Sequence, residues 1–220
     1  MKNKSVRKIL IVDDHPVFCL GMSELINKAA DLEVCGSEDT PAKALRAIQR
    51  LNPDLVIVDI SLKNSSGIDL VSDINNRFQG LPVLMLSMYD ESLYAERALL
   101  AGARGYLMKQ EAIGVVVEAI RQVLSGKIYA SEGVKDKVFQ RLVSPHGSTD
   151  TTPFDQLTSR ELEVFRLIGE GLSTREIAER MKLSIKTIGT YRERIKEKLN
   201  LKHYTELVKA AVHYLEMAQK

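Results

Sequence analysis

Short apolar runs alternate with amphipathic stretches through the first half of the chain. The runs are Lys8–Val12, Leu32–Cys35, Leu55–Val58, Val83–Leu86 and Gly105–Met108. Within them apolar residues do not alternate with polar ones, which predicts strands buried on both faces. Apolar residues at helical spacing fill the gaps, over Val17–Lys28, Pro41–Leu51, Ile68–Arg77, Glu91–Ala101 and Ala112–Leu124. Five such repeats predict an α/β, doubly wound parallel sheet. Pro41 suits a first helical turn, and Pro53 and Pro82 punctuate strand entries.

After Gly126 the pattern changes. Ser131–Val143 reads as a short helix, and SPHGSTDTTPFDQ (144–156) has the composition of a flexible linker. From Leu157 onward no strand pattern survives. Four helices are predicted instead, over Ser159–Ile168, Thr174–Met181, Ile185–Leu199 and Tyr204–Met217. Thr158 with Glu161 and Ser173 with Glu176 have capping-box spacing, and Ser184 is a further N-cap candidate. The expected organisation is therefore 1–128 as one α/β domain, 129–156 as a linker with a short helix, and 157–220 as an all-α domain.

With 220 residues, 45% hydrophobic and 27% charged, the composition is that of a soluble globular protein with room for two modest domains. No apolar run approaches the roughly 18 residues of a membrane span, and the N-terminus lacks a leader pattern. A cytoplasmic location without a membrane partner is expected. Cys19 and Cys35 are expected as buried, reduced thiols, and the scattered histidines argue against a transition-metal site. Charge is unevenly spread: Lys182–Lys202 carries seven basic residues against Glu193 and Glu197, a net +5. Taken alone, such a run reads as a solvated helix face.

Ligands of a parallel sheet gather beyond the carboxyl ends of its strands. Asp13 and Asp14 follow the first strand there, and Asp59 follows the third. Three crowded carboxylates must protonate or recruit a cation, and an all-oxygen site with room for water suits Mg²⁺. Ser87 ends the fourth strand and Lys109 the fifth. A hydroxyl, a lysine and a metal would neutralise and orient phosphate oxygens while Asp59 attacks phosphorus. Five suitable residues at strand ends favour this chemistry over simple helix capping.

VDDHPVF, VDISLKNSSGIDL and LSMYDESLYAERALLAGARGYLMK resemble the receiver domain of bacterial two-component response regulators, over roughly residues 6–127. The resemblance implies a flavodoxin-like fold with five parallel strands. It makes Asp59 the phosphoacceptor and a sensor histidine kinase the donor. Asp14 and Asp59 would bind Mg²⁺ directly, Ser61 through its backbone carbonyl, and Asp13 through water. Ser87 and Lys109 would contact the phosphoryl group, and Tyr106 matches an aromatic switch position. One departure stands in the loop after Asp59: Lys63-Asn64 replaces the family's usual Pro-Gly, although Gly67 keeps its place.

LTSRELEVFRLIGEGLSTREIAERMKLSIKTIGTYRERIKEKLNLKHYTELVKAAVHY resembles the LuxR/NarL/FixJ helix-turn-helix output domain, over about residues 155–217. Helix Ile185–Leu199 then becomes the recognition helix, set in the DNA major groove. Ile188, Ile195 and Leu199 would pin it to the core. Lys186, Thr187, Gly189, Thr190, Arg192, Glu193, Arg194 and Lys196 become candidate DNA contacts. Gly189 stands where the family commonly has Lys. Glu193 either accepts from a cytosine amino group or pairs with a neighbouring base such as Lys196 or Lys186. The stripe Leu207, Val208, Ala211 and Leu215 serves either dimerisation or the domain's own core.

Together these resemblances imply a phosphorylation-controlled transcription regulator rather than an enzyme, homodimeric when phosphorylated. A haloacid-dehalogenase-type phosphatase would need an acid two residues after Asp59, where this chain has Ser61. The remaining alternative is a DNA-binding regulator whose receiver is only a dimerisation or partner-binding platform.

Overall fold

The apolar runs become strands, and the polar residue that closes each of several runs lies at the carboxyl end of a sheet. The computed structural model describes residues 6–62, 65–88, 91–143 and 153–218. The loop residues Lys63-Asn64 and residues 144–152 of the predicted linker lie outside the described residues. Two compact units emerge, residues 1–140 and 141–220.

In chain order the first unit contains β1 (Arg7–Val12), α1 (Pro16–Asn27), β2 (Leu32–Glu38), α2 (Pro41–Leu51), β3 (Leu55–Asp59), β4 (Ser61–Leu62), β5 (Ser65–Ser66) and α3 (Gly67–Arg77). It continues with β6 (Val83–Ser87), α4 (Glu91–Leu100), β7 (Gly105–Met108), α5 (Lys109–Leu124) and α6 (Glu132–Val143), the last belonging to this unit as far as Gln140. The sheet is five-stranded and parallel in the order β2-β1-β3-β6-β7. The chain enters at the centre and winds outward both ways, so the strand order reverses between β1 and β3.

The last four residues of β1 and all of β3 and β6 are buried, as the unbroken apolar runs require. One face packs Ile9, Ile11, Ile57, Leu84 and Leu86 beneath α1 and α5, against Ile26, Val116 and Ile120. Burying each such side chain contributes about 1.5–3 kcal/mol. Register is therefore strongly fixed, and a one-residue slip of β3 would carry Asp59 off the sheet end.

Several features differ from the sequence expectation. β2 runs three residues further, through Gly36, Ser37 and Glu38, because an edge strand can carry polar residues facing solvent. Cys35 on that strand is half-buried, whereas Cys19 is buried as expected; both are free thiols. β4 and β5 form a small antiparallel ribbon directly after Asp59. Beyond α5, Tyr129 adds a single parallel bridge to the outer edge of β7: Tyr106 N–H donates to its carbonyl at 2.8 Å, and its own N–H donates to Arg104 O at 3.0 Å. A Cβ on Gly105 would lie 2.8 Å from Leu84 Cδ1 and 3.0 Å from Tyr129 Cβ, so this approach needs glycine.

In the second unit a short 3-10 turn (Pro153–Gln156) precedes α7 (Ser159–Gly169), α8 (Thr174–Arg180), α9 (Ile185–Lys198) and α10 (Tyr204–Ala218). Both capping boxes are reciprocal: Thr158 and Glu161 satisfy each other's backbone N–H, as do Ser173 and Glu176. Ser184 caps α9 by accepting from Thr187 N–H at 3.0 Å. Ile177, Phe165, Ile188, Ile195, Leu207 and Ala211 form the core. Leu207 and Ala211 thus cover the domain's own interior, while Val212 and Met217 on α10 stay exposed. Among the described residues no helix is long and apolar enough to cross a membrane.

Candidate functional site

β1 delivers Asp13, Asp14 and His15 to one end of the sheet, β3 delivers Asp59, β6 delivers Ser87, and the β7–α5 junction delivers Lys109. Lys109 is the first residue of α5 rather than the last of β7. Its ammonium is the centre of the pocket, 2.6 Å from Asp13 Oδ2 and 3.0 Å from Asp59 Oδ2. All three side chains are at most 5% exposed. The Lys109 ammonium also lies over the Phe18 ring, 4.5 Å from its centroid.

A buried ion pair of this kind needs compensating partners. Here two acids share one lysine, with Asp14 beside them, so the pocket retains excess negative charge. Burial pushes the Asp59 carboxyl up to about 6, and Asp13 adds to the rise, against the opposing pull of Lys109. Three carboxylates opposed by one ammonium, with donor atoms of Asp13, Asp14, His15 and Asp59 within 4.8 Å of one another, have the chemistry of a divalent-cation site.

The surrounding backbone is shaped for this cluster. A Cβ on Gly67 would come within 2.0 Å of Asp59 O, so only glycine lets α3 begin this close to the acid. Gly67 N–H donates to Ile60 O, and Ser66 caps α3 through Ile68 N–H. Ser61 sits two residues beyond Asp59 on β4, opposite Ser66. Ser87 is fully buried and lies one residue beyond Leu86, the cross-strand partner of Asp59. Tyr106 is buried on the edge strand β7. Cys19 Sγ contacts Asp13 O at 3.5 Å, and burial pushes its thiol up to about 11, so it is an inert packing group at neutral pH.

His15 is the pocket residue that sequence reasoning passed over. Its N–H and its Nδ1 lie 2.9 and 3.0 Å from Asp13 Oδ1, and Nδ1 lies 3.1 Å from Asp14 Oδ1. Its position directly after the two aspartates was the available signal.

A second candidate site lies on α9. A groove of about 290 Å³ is lined by Ser184, Lys186, Thr187, Thr190, Tyr191 and Arg194. Four of these were expected from the sequence. Tyr191 was not, although it falls one turn beyond Thr187 on the same face. Gly189 leaves open space where a side chain would project. Glu193 pairs with Lys196 at 2.8 Å, one of the two roles expected for it. Arg192 is engaged inside the domain: its Nη1 donates to Thr174 Oγ1 at 2.7 Å, and its guanidinium stacks 4.0 Å over the Tyr204 ring. Lys198 donates to Glu161 at 2.6 Å. Burial raises the Glu161 carboxyl, but Lys198 and the Thr158 hydrogen bonds outweigh it and hold the group low.

Known proteins share both halves of this arrangement. The response regulator receiver domain family matches residues 9–121, and the luxR family of bacterial regulatory proteins matches residues 155–211. The oxygen regulatory protein NreC of Staphylococcus carnosus is 34% identical over 209 residues, covering 93% of this chain and 96% of its own. A LuxR-family two-component response regulator from Aurantimonas is 28% identical, with a TM-score of 0.57 over 63% of this chain and 99% of its own. The RcsB response regulator of Salmonella typhimurium, at 23% identity, shares the fold with a TM-score of 0.62 over 95% of this chain and 98% of its own. RcsB has also been solved in complex with DNA.

Proposed function

The chain belongs to the LuxR/NarL family of two-component response regulators, a receiver domain followed by a DNA-binding output domain that regulates transcription, and on that premise we propose that phosphorylation of Asp59 controls how it binds DNA. The carrying observation is the buried Lys109 ammonium between Asp13 and Asp59, at the carboxyl end of a parallel sheet.

The donor is a sensor histidine kinase. An Asp59 oxygen forms the new bond to phosphorus while the P–N bond of the donor's phosphohistidine breaks and its electron pair returns to the imidazole. Lys109 supports the anionic phosphoryl oxygens, and Ser87 supplies a hydroxyl donor at the neighbouring strand end. Asp14, Asp59 and the Ser61 carbonyl would hold Mg²⁺, with Asp13 acting through water. When bound, the ion neutralises charge on the transferring group.

The added charge draws Lys109 and Ser87 toward phosphate and shifts the β6–β7 face, where Tyr106 is the switch, between two conformations. The phosphorylated form pairs as a homodimer and presents two α9 helices to successive major grooves. Lys186, Thr187, Thr190, Tyr191 and Arg194 face the DNA. Arg192 instead positions α9 through Thr174 and Tyr204. The protein acts in the cytoplasm and catalyses no reaction beyond its own phosphorylation and dephosphorylation.

Labelling with radioactive acetyl phosphate in Mg²⁺ tests this reading. Wild-type protein should take up label and Asp59→Asn should not; full labelling of the variant refutes the assignment.

A further inference from the structure

The pocket contains a donor of a different chemical class from the carboxylates. His15 precedes α1 at its N-cap position, in an extended conformation with φ −107° and ψ 96°, and its side chain makes no capping bond. The ring is therefore not committed to the helix end. It turns instead to the acids, with Nδ1 3.0 Å from Asp13 Oδ1 and 3.1 Å from Asp14 Oδ1. Adjacent donors around an octahedral ion with bonds of about 2.1 Å stand about 3.0 Å apart. The imidazole is thus at ligand spacing from Asp14, which would hold the ion directly, and one donor atom of Asp59 completes a set within 4.8 Å. The side chain is 52% exposed, so an ion can reach the nitrogen from solvent.

We infer that His15 contributes a ring nitrogen to the metal pocket, which therefore favours first-row transition-metal ions such as Mn²⁺ and Ni²⁺ over Mg²⁺. The inference rests on the reading above that the pocket holds a divalent cation. Magnesium is satisfied by oxygen and water and gains little from an imidazole. Affinity of a mixed nitrogen and oxygen site climbs along the series from Mn²⁺ to Cu²⁺. A pocket of three carboxylates alone would discriminate far less. The histidines are scattered along the sequence and show no ligand spacing among themselves. The fold brings one of them to acids from two different strands.

The consequence is regulatory: a transition-metal ion at low concentration displaces Mg²⁺ from the phosphorylation pocket.

The test uses the full chain with Mg²⁺, Ni²⁺ and Mn²⁺ as probes. Calorimetric titration should show Ni²⁺ binding tighter than Mg²⁺. His15→Ala should weaken Ni²⁺ by about tenfold or more and Mg²⁺ by no more than about threefold. His15→Gln keeps a hydrogen bond to Asp13 but offers no imidazole, so it should behave like the alanine variant. Pulsed EPR of the Mn²⁺-loaded wild type should show nitrogen-14 modulation that both variants lose. Rescue by glutamine, equal losses for both ions, or a wild-type Mn²⁺ spectrum without nitrogen coupling would each overturn the inference, leaving His15 as a residue that only orients Asp13. If the wild type binds no divalent ion, or if Asp14→Asn leaves Mg²⁺ affinity intact, the magnesium reading fails as well.

Discussion

Asp59 carries an energetic cost of the proposed phosphoacceptor role. Its carboxyl is buried, and it holds a proton up to about pH 6 even with Lys109 3.0 Å away. A carboxyl that binds its proton more tightly in the folded chain stabilises the fold in acid. That contribution is complete below the ordinary carboxylate value of 3.8 and is lost as the pH rises through about 6. Asp59→Asn should therefore raise the melting temperature at pH 7.5 in metal-free buffer, and the gain should vanish toward pH 4. Thermal melts across that range decide it, and a variant less stable than wild type at pH 7.5 would contradict the account. The placement of Asp13, Asp14, Asp59 and Ser87 at strand ends, with Lys109 one residue beyond β7, was legible in the sequence because polar residues rarely close apolar runs without a task. His15 was not, because its role depends on which way a half-exposed ring turns.

Helix α9 shows how far periodicity reaches. Ile188 and Ile195 are buried as the helical spacing requires, and Leu199 is half-buried. Arg192 was expected among the DNA contacts, yet it reaches Thr174 and Tyr204. Those contacts depend on α8 and α10, which a reading of α9 alone does not include. Salt titration of DNA binding separates the two arginines. Arg194→Ala should reduce the slope of log K against log salt by about 0.9, one released counterion. Arg192→Ala should leave the slope unchanged while lowering the ratio of specific to non-specific affinity. Gly189 offers the converse change. Nothing lies within 4 Å of a built Cβ there, so Gly189→Lys should stabilise the exposed helix by up to about 1 kcal/mol. It should also tighten DNA binding and steepen the slope by about 0.9. Strand β2 and the β4–β5 ribbon teach a similar lesson. Edge strands and two-residue strands bury too little to impose an apolar pattern, so the sequence does not announce them.

At the scale of the whole molecule, the control scheme requires that chemistry in one unit alter binding by the other. Acetyl phosphate with Mg²⁺ should double the mass measured by light scattering. It should also tighten binding to a selected DNA site by about tenfold or more, within the usual range of allosteric coupling. Neither change should occur in Asp59→Asn. Division into two halves was evident from the loss of strand patterns after Gly126, but the attachment of the following segment to the receiver was not. Tyr129 satisfies Tyr106 N–H and Arg104 O at the margin of β7, and a strand margin left bare recruits other chains. A receiver shortened to end at Gly126 should consequently self-associate and precipitate, whereas one ending at Gln140 should stay dispersed. The residues that look like the start of a tether are, on this view, the seal that keeps copies of the protein from zipping together in a crowded cell.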